Sequence, residues 1–205
     1  MRGGGMGDAN LRVGRVPEAQ IARLAAVVET NVWFMAVLDT VHRVLPGGYV
    51  GAGVLRDVVW DHLEGRREFL GCSDIDVAHF DPSDLSPERD HEIERALRGI
   101  IPDAPWEVTN QAGVHLWFER YFGYAVEPLT SMEDAVATWP EFATATAVRR
   151  ARERKLDVLA SFGLDDLFGM VVRRNPRRVS RDVYRRRLRT KRYAERWPSV
   201  TIVDD

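Results

Sequence analysis

The sequence predicts an α+β domain in which helices pack on a mixed sheet. Two observations lead to this fold class. Segments with apolar residues at helical spacing alternate along the chain with short segments typical of strands. The chain has 205 residues, 45% of them hydrophobic, which is enough to bury a core of good size. No apolar run approaches the roughly 20 residues that cross a membrane, so we expect a soluble protein.

The order of the elements follows from these segments. Helical spacing covers residues 17–45, as one helix or two, then 55–63, 87–100, 111–122, a short stretch after Ser131, 163–172 and 180–197. Strand patterns cover residues 49–50, 75–80, 106–109, 155–159 and 200–203. We predict a disordered tail over residues 1–16 and a single domain over 17–205. The core of this domain is expected at about 46–160 and a helical C-terminal part at about 161–205.

Two features bear on the cellular compartment. The glycine-rich start, residues 1–7, lacks the apolar block of a secretory signal. The single cysteine, Cys72, has no partner for an internal disulfide, as expected in a reducing compartment. We therefore predict a cytoplasmic protein.

Charge is distributed unevenly along the chain. Residues 1–148 hold 12 Lys and Arg against 23 Asp and Glu, whereas residues 149–205 hold 17 against 8. This distribution is consistent with an acidic N-terminal part that binds metal and a basic C-terminal segment that contacts phosphates. The alternative is a pair of complementary surfaces, because basic runs often form solvated helix faces.

Two carboxylates alternate on the strand pattern at 75–80. Side chains two residues apart on a strand point to the same face, about 6.5–7 Å from each other, so Asp74 and Asp76 are expected to project together. Such a pair suits two Mg²⁺ (or Mn²⁺) ions acting on phosphates. A third carboxylate is expected from Glu107 on the next strand, with Asp157 in reserve. We predict that Asp74, Asp76 and Glu107 are both the catalytic residues and the metal ligands.

A glycine turn precedes the carboxylates. Gly51 and Gly53, with Ala52 between them, allow a tight turn and a close approach of the backbone to phosphate at a helix N-terminus. Arg56, in the following helix, is expected to reach a phosphate oxygen. These residues are our first candidates for nucleotide binding.

Further candidates flank the carboxylates. Ser73 directly precedes Asp74, and Asn110 lies just past Glu107 together with Gln111 and His115. A helix start at this point would present amides to a base, a ribose or an acceptor. The alternative is that they are buried hydrogen-bonding partners that hold the end of the strand.

These motifs resemble the nucleotidyltransferase superfamily that includes DNA polymerase beta and the tRNA CCA-adding enzymes. Residues 50–57 look like the Gly-Gly-x-x-Arg-Asp turn of CCA-adding enzymes, and residues 74–77 look like their Asp-x-Asp strand. The whole chain is similar to a bacterial family of nucleotidyltransferases of about this size. That likeness covers about residues 20–203 and runs through 73–81, 106–112, His115, 163–168, 173–176 and 184–197.

The resemblance implies a polymerase-beta-like core with flanking helices and a basic helical C-terminal segment. It also implies transfer of a nucleoside monophosphate from a nucleoside triphosphate, such as ATP, to an acceptor that it does not name, with release of pyrophosphate. We expect a small molecule or a protein as acceptor rather than RNA, because the basic segment has few aromatic residues on which bases stack. The alternative is a catalytically silent nucleotide-binding or regulatory protein on the same fold.

Overall fold

The computed structural model describes residues 16–66, 69–151 and 155–204. All of the predicted tail except Val16 lies outside these residues. The helices are α1 (Glu18–Thr30), α2 (Val32–Val44), α3 (Ala52–Leu63), α4 (Pro87–Arg98), α5 (Val114–Phe122), α6 (Met132–Val136), α7 (Asp165–Phe168), α8 (Arg181–Lys191) and α9 (Tyr193–Arg196). The strands are β1 (Tyr49–Gly51), β2 (Ile75–His79), β3 (Trp106–Asn110), β4 (Thr146–Arg150), β5 (Leu156–Ala160), β6 (Val171–Val172) and β7 (Thr201–Ile202). Single 3-10 turns cover Gln111–Gly113 and Phe142–Thr144.

The main sheet is mixed, which confirms the predicted fold class. Its strand order is β3-β2-β1-β4-β5, with β2 and β3 parallel and the other pairs antiparallel. Strand β4 has no counterpart among the sequence predictions, although it separates β1 from β5. Its sequence, Thr146-Ala-Val-Arg-Arg, has two consecutive apolar residues and then two charges, so a periodic apolar signal is absent.

The two faces of the sheet have different environments. Ile75 and Val77 of β2 join the large core built with α1 to α4, whereas Ala78 belongs to a smaller cluster with Tyr49 and residues of α6. Because side chains alternate along a strand, Asp76 shares the face of Ala78. This second face, covered only in part by α6, carries the candidate site.

The long helical pattern at 17–45 forms two helices. Asn31 caps α2, since its Oδ1 accepts a hydrogen bond of 2.9 Å from the Phe34 amide. The axes of α1 and α2 bend by 103° at this break. Among the described residues no single helix has the length and apolar composition to cross a membrane, and the bent pair passes that test only when both helices are counted together.

The C-terminal part differs from the prediction at two points. The helix predicted over 163–172 is limited to α7 and is followed by β6, because Met170 has a φ of 52° that ends helical geometry. The helix predicted over 180–197 divides into α8 and α9 at Arg192, with a φ of 50°. The segment is anchored by the hydroxyl of buried Tyr184, which lies 2.9 Å from the Val172 carbonyl oxygen and 2.8 Å from that of Val203 and can donate its one proton to either.

Candidate active site

A pocket of about 250 Å³ opens on the second face of the sheet. Its walls come from β2, β3, the first turn of α3, the connection between α6 and β4, and α8. The lining comprises Ala52, Gly53, Arg56, Asp74, Asp76, Val77, Ala78, Glu107, Thr109, Gln111, Trp139, Pro140, Thr144, Arg187 and Lys191. A larger cavity of about 650 Å³, beside Trp33 and Phe69, contains none of the predicted carboxylates.

The structure brings the three predicted carboxylates together in this pocket. Asp76 and Glu107 are direct partners in the register of the parallel β2–β3 pair, and Asp74 lies just before β2. Asp157, the reserve candidate, lies on β5 at the far edge of the sheet. It accepts hydrogen bonds there from the Tyr49 hydroxyl at 2.7 Å and Arg149 Nε at 2.9 Å.

Crowding of negative charge raises the proton affinity of the site. Burial, with the nearby charges of Asp74 and Glu107, raises the pKa of Asp76 to about 7. Burial and the charge of Asp74 also raise the pKa of Glu107. Because these acids raise one another's pKa values, a cation bound among them would favour their ionised forms.

The glycine turn borders Asp76. Gly53 lies in the first turn of α3, and its backbone amide lowers the pKa of Asp76, against the larger effects of burial and neighbouring acids that raise it. A Cβ on Gly53 would lie 3.7 Å from Asp74 Oδ1, so this residue borders both acids. Ala52 bends the chain with a φ of 52°, and Gly51 lies behind the turn, against the backbone of β4.

Arg56 lines the pocket, but its guanidinium already has partners. The residue is 5% exposed, and its Nε donates to Asp57 Oδ1 at 3.0 Å. Its guanidinium carbon also lies 5.0–5.3 Å from the ring centroids of Trp60, Tyr193 and Trp197. Arg56 is therefore a buried link between α3 and the C-terminal segment as well as a wall of the pocket.

Two cations of α8 complete the pocket, and neither is among the site residues predicted from the sequence. Lys191 Nζ lies 4.0 Å from Asp74 Oδ2, and Arg187 occupies the preceding helical turn. Arg187 is fixed by Glu141, which is 1% exposed and accepts from its Nε at 2.7 Å. One sequence feature could have identified these two cations. They are four residues apart, which places them on the same face of α8 as Tyr184.

Two other predicted residues lie apart from the lining. Ser73 is exposed in the loop before β2. Asn110 is buried, and its Nδ2 donates to the carbonyls of Asp81 and Asp84 at 2.7 and 2.8 Å. Its Oδ1 accepts from the amides of Asp81 and Ala112, so this side chain ties the ends of β2 and β3 together. The next residue, Gln111, lines the pocket instead.

The donor set of the pocket fits Mg²⁺ or Mn²⁺. Among the residues that the structure describes, no group of three or more His, Cys, Asp or Glu side chains is placed to hold a metal ion by itself. Mg²⁺ rarely needs such a group, since it is usually held by one or two carboxylates and completes its shell with water and substrate phosphates. The close acids Asp74, Asp76 and Glu107 supply oxygen ligands of this kind.

The fold and the site together define an α+β domain whose mixed sheet carries a pocket lined by acidic and basic side chains. The chain belongs to the nucleotidyltransferase family, since the model of that family, described as "Nucleotidyltransferase", matches residues 40–202. No curated protein matches the chain.

Two solved structures are similar over nearly the whole chain. One is an NMR structure described as a CCA-adding enzyme head domain; it is 26% identical, with a TM-score of 0.76 over 90% of this chain and 96% of that one. The other is a complex of CCA-adding enzyme with CTP, 14% identical, with a TM-score of 0.52 over 94% of this chain. The chain spans 44% of that second enzyme. The protein is therefore a nucleotidyltransferase with the fold of a CCA-adding enzyme head domain.

Proposed function

We propose that this nucleotidyltransferase is metal-dependent and moves a nucleoside monophosphate from a nucleoside triphosphate to an acceptor hydroxyl, releasing pyrophosphate. The observation that carries the proposal is the meeting of Asp74, Asp76 and Glu107 with Lys191 in one pocket. Acids beside a cation suit a ligand that brings both metal ions and phosphates.

The three acids would hold two Mg²⁺ (or Mn²⁺) ions. When bound, the ions would offset the negative charge of the triphosphate and of the reacting oxygens. The Gly53 amide favours the ionised form of Asp76. The paired strands β2 and β3 position Asp76 and Glu107 before substrate arrives, and phosphoryl-transfer enzymes rely on such positioning.

The side chains of this protein account for the remaining steps. Lys191 and Arg187 bind the phosphates, and Arg56 contributes a fixed positive charge at the pocket wall. Glu107, which lies beside Asp76 in the pocket, accepts the proton of the acceptor hydroxyl. The hydroxyl oxygen then forms a bond to the α-phosphorus as the bond to the bridging oxygen of pyrophosphate breaks. The electron pair leaves with pyrophosphate.

A labelling experiment tests the proposal and identifies the acceptor class. The wild-type protein and Asp76→Asn are each given ATP, CTP, GTP or UTP labelled at the α-phosphate, with Mg²⁺ and a cell extract. Treating the products with ribonuclease or protease separates RNA, protein and small-molecule acceptors. We expect a labelled product with the wild type and none with Asp76→Asn.

The same experiment tests the silent alternative. If the wild type forms no labelled product but still binds a triphosphate, the protein is a nucleotide-binding or regulatory member of the family. Equal labelling by Asp76→Asn would instead show that another group performs the transfer. A compartment with abundant nucleoside triphosphates, the cytoplasm, is the setting we propose for this reaction.

A further inference from the structure

The pocket has a second end, which the transfer chemistry does not use. In the β2–β3 register, Asp76 faces Glu107 and Ala78 faces Thr109, two residues further along. Because side chains two residues apart on a strand point to the same face, Thr109 lies about 6.5–7 Å from Glu107 on that face. Gln111 follows beyond Thr109, so the pocket extends from the acids toward this amide.

Gln111 is a buried polar side chain without a protein partner. It is 8% exposed, and its amide makes no hydrogen bond to any residue in the described ranges 16–66, 69–151 and 155–204. Gln111 is one of the residues that line the pocket. Its neighbour Asn110 uses its amide fully within the protein. Since buried polar groups are normally paired, Gln111 indicates a ligand with hydrogen-bonding edges.

An apolar wall lies at the same end. Trp139 packs on the cluster that contains Ala78, and Trp139 and Pro140 both line the pocket. Fully buried Asn175 holds the backbone at Trp139 in place. Its Nδ2 donates to the Trp139 carbonyl at 2.8 Å. An indole carried on this anchored backbone, beside a small alanine, presents a surface on which a flat ring can pack.

The two ends together match the chemistry of one molecule. A nucleoside triphosphate carries a polyanion at one end and a flat ring with donors and acceptors at the other. We propose that Gln111 and Trp139 form the nucleobase subsite of the donor nucleotide, an assignment that rests on the proposed function. Gln111 would set base preference, because a glutamine amide pairs with the edge of one base better than with others. Trp139 would support any base, because every base has a π-face.

The test compares ligands with and without a base. Non-reacting α,β-methylene analogues of ATP, CTP, GTP and UTP, and tripolyphosphate as the base-free probe, are titrated with Mg²⁺ into the full-length protein by calorimetry. Gln111→Ala should weaken the preferred analogue about 10-fold or more and reduce discrimination among the four. Trp139→Ala should weaken all four about 5- to 100-fold, whereas Trp139→Phe retains most of the affinity. Tripolyphosphate should bind all three variants within about 2-fold of the wild type.

The outcomes separate this inference from the proposed function. Unchanged affinity and preference in Gln111→Ala, or equal binding of all four analogues by the wild type, would overturn the subsite while leaving transfer intact. Loss of tripolyphosphate binding in Gln111→Ala or Trp139→Ala would also overturn it, since the damage would then extend beyond the base. Failure of the wild type to bind either tripolyphosphate or any analogue would overturn the proposed function itself.

Discussion

Asp76 and Glu107 are partners in the register of the parallel strands β2 and β3, and both line one pocket. The two acids are 31 positions apart in sequence and are brought together by α4, which connects their strands. Lys191 lies at the same pocket, 4.0 Å from Asp74. Acids from two strands and a lysine from α8 therefore share one pocket.

The stability of the metal-free protein should depend on Asp76. Its pKa is raised from 3.8 to about 7, so the folded state holds the proton more tightly than the unfolded state. Ionised Asp76 therefore costs stability, and the cost grows from about pH 4 to about pH 7 and is constant above it. At about 1.4 kcal/mol per pKa unit, the cost is at most a few kcal/mol.

Asp76→Asn removes that titration. In EDTA, denaturant unfolding should show the variant to be more stable than the wild type at about pH 8 and equally stable below about pH 4. A gap between the two proteins that does not change with pH would contradict the crowded-acid arrangement.

Mg²⁺ should stabilise the wild type through the same acids. At about a hundredfold excess over Kd, a ligand that binds only the folded state adds about 2.7 kcal/mol, which is readily seen as a rise in Tm. Asp74→Asn and Asp76→Asn should lose most of this rise. Glu92→Gln, an exposed change on α4, should keep it. If all four proteins respond alike, the ion binds elsewhere.

Lys191 should contribute to triphosphate binding. Removing one charged contact to phosphate in Lys191→Ala should raise KM for the nucleotide about 10-fold or more, with Lys191→Arg retaining much of the affinity. Arg189→Ala, an exposed change on the same helix, serves as the control and should leave KM unaltered. Similar KM values for Lys191→Ala and Arg189→Ala would remove Lys191 from the site.

Gly51 should be required for folding rather than for binding. A Cβ at this position would lie 2.6 Å from the Thr146 carbonyl oxygen and 2.8 Å from Ala147 Cα, both backbone atoms of β4. Gly51→Ala should therefore destabilise the protein by about 1–3 kcal/mol. Gly53→Ala is the matched comparison, because its Cβ would make only ordinary contacts, and thermal unfolding should show little loss. Equal Tm values for the two variants would contradict the close β1–β4 contact.

The strand patterns in the sequence were enough to predict that the three acids lie near one another. Strand alternation places Asp76 on the face opposite Ile75 and Val77, and the structure gathers Asp74, Asp76 and Glu107 as that pattern suggested. The sequence pattern did not show which of the next two residues, Asn110 or Gln111, lines the pocket. The 3-10 turn that begins at Gln111 changes the periodicity at the end of β3, so neither a strand nor a helix pattern separates Asn110 from Gln111.

Contacts between segments that are far apart in sequence could not be predicted from local patterns. Arg187 reaches the pocket because Glu141 holds it, and Glu141 lies 46 positions earlier in the chain. Strand β4 depends on its pairing with β1 and β5 rather than on its own composition. The breaks at Met170 and Arg192 are backbone conformations that neither residue type favours.

The central claim is that the acids of this pocket carry nucleotidyl transfer. The most direct measurement is pyrophosphate release from a nucleoside triphosphate, with Mg²⁺ and the labelled acceptor fraction, by the wild type, Asp76→Asn and Glu92→Gln. We predict release by the wild type and Glu92→Gln and none by Asp76→Asn, which remains folded. Release by Asp76→Asn near the wild-type rate would contradict the account.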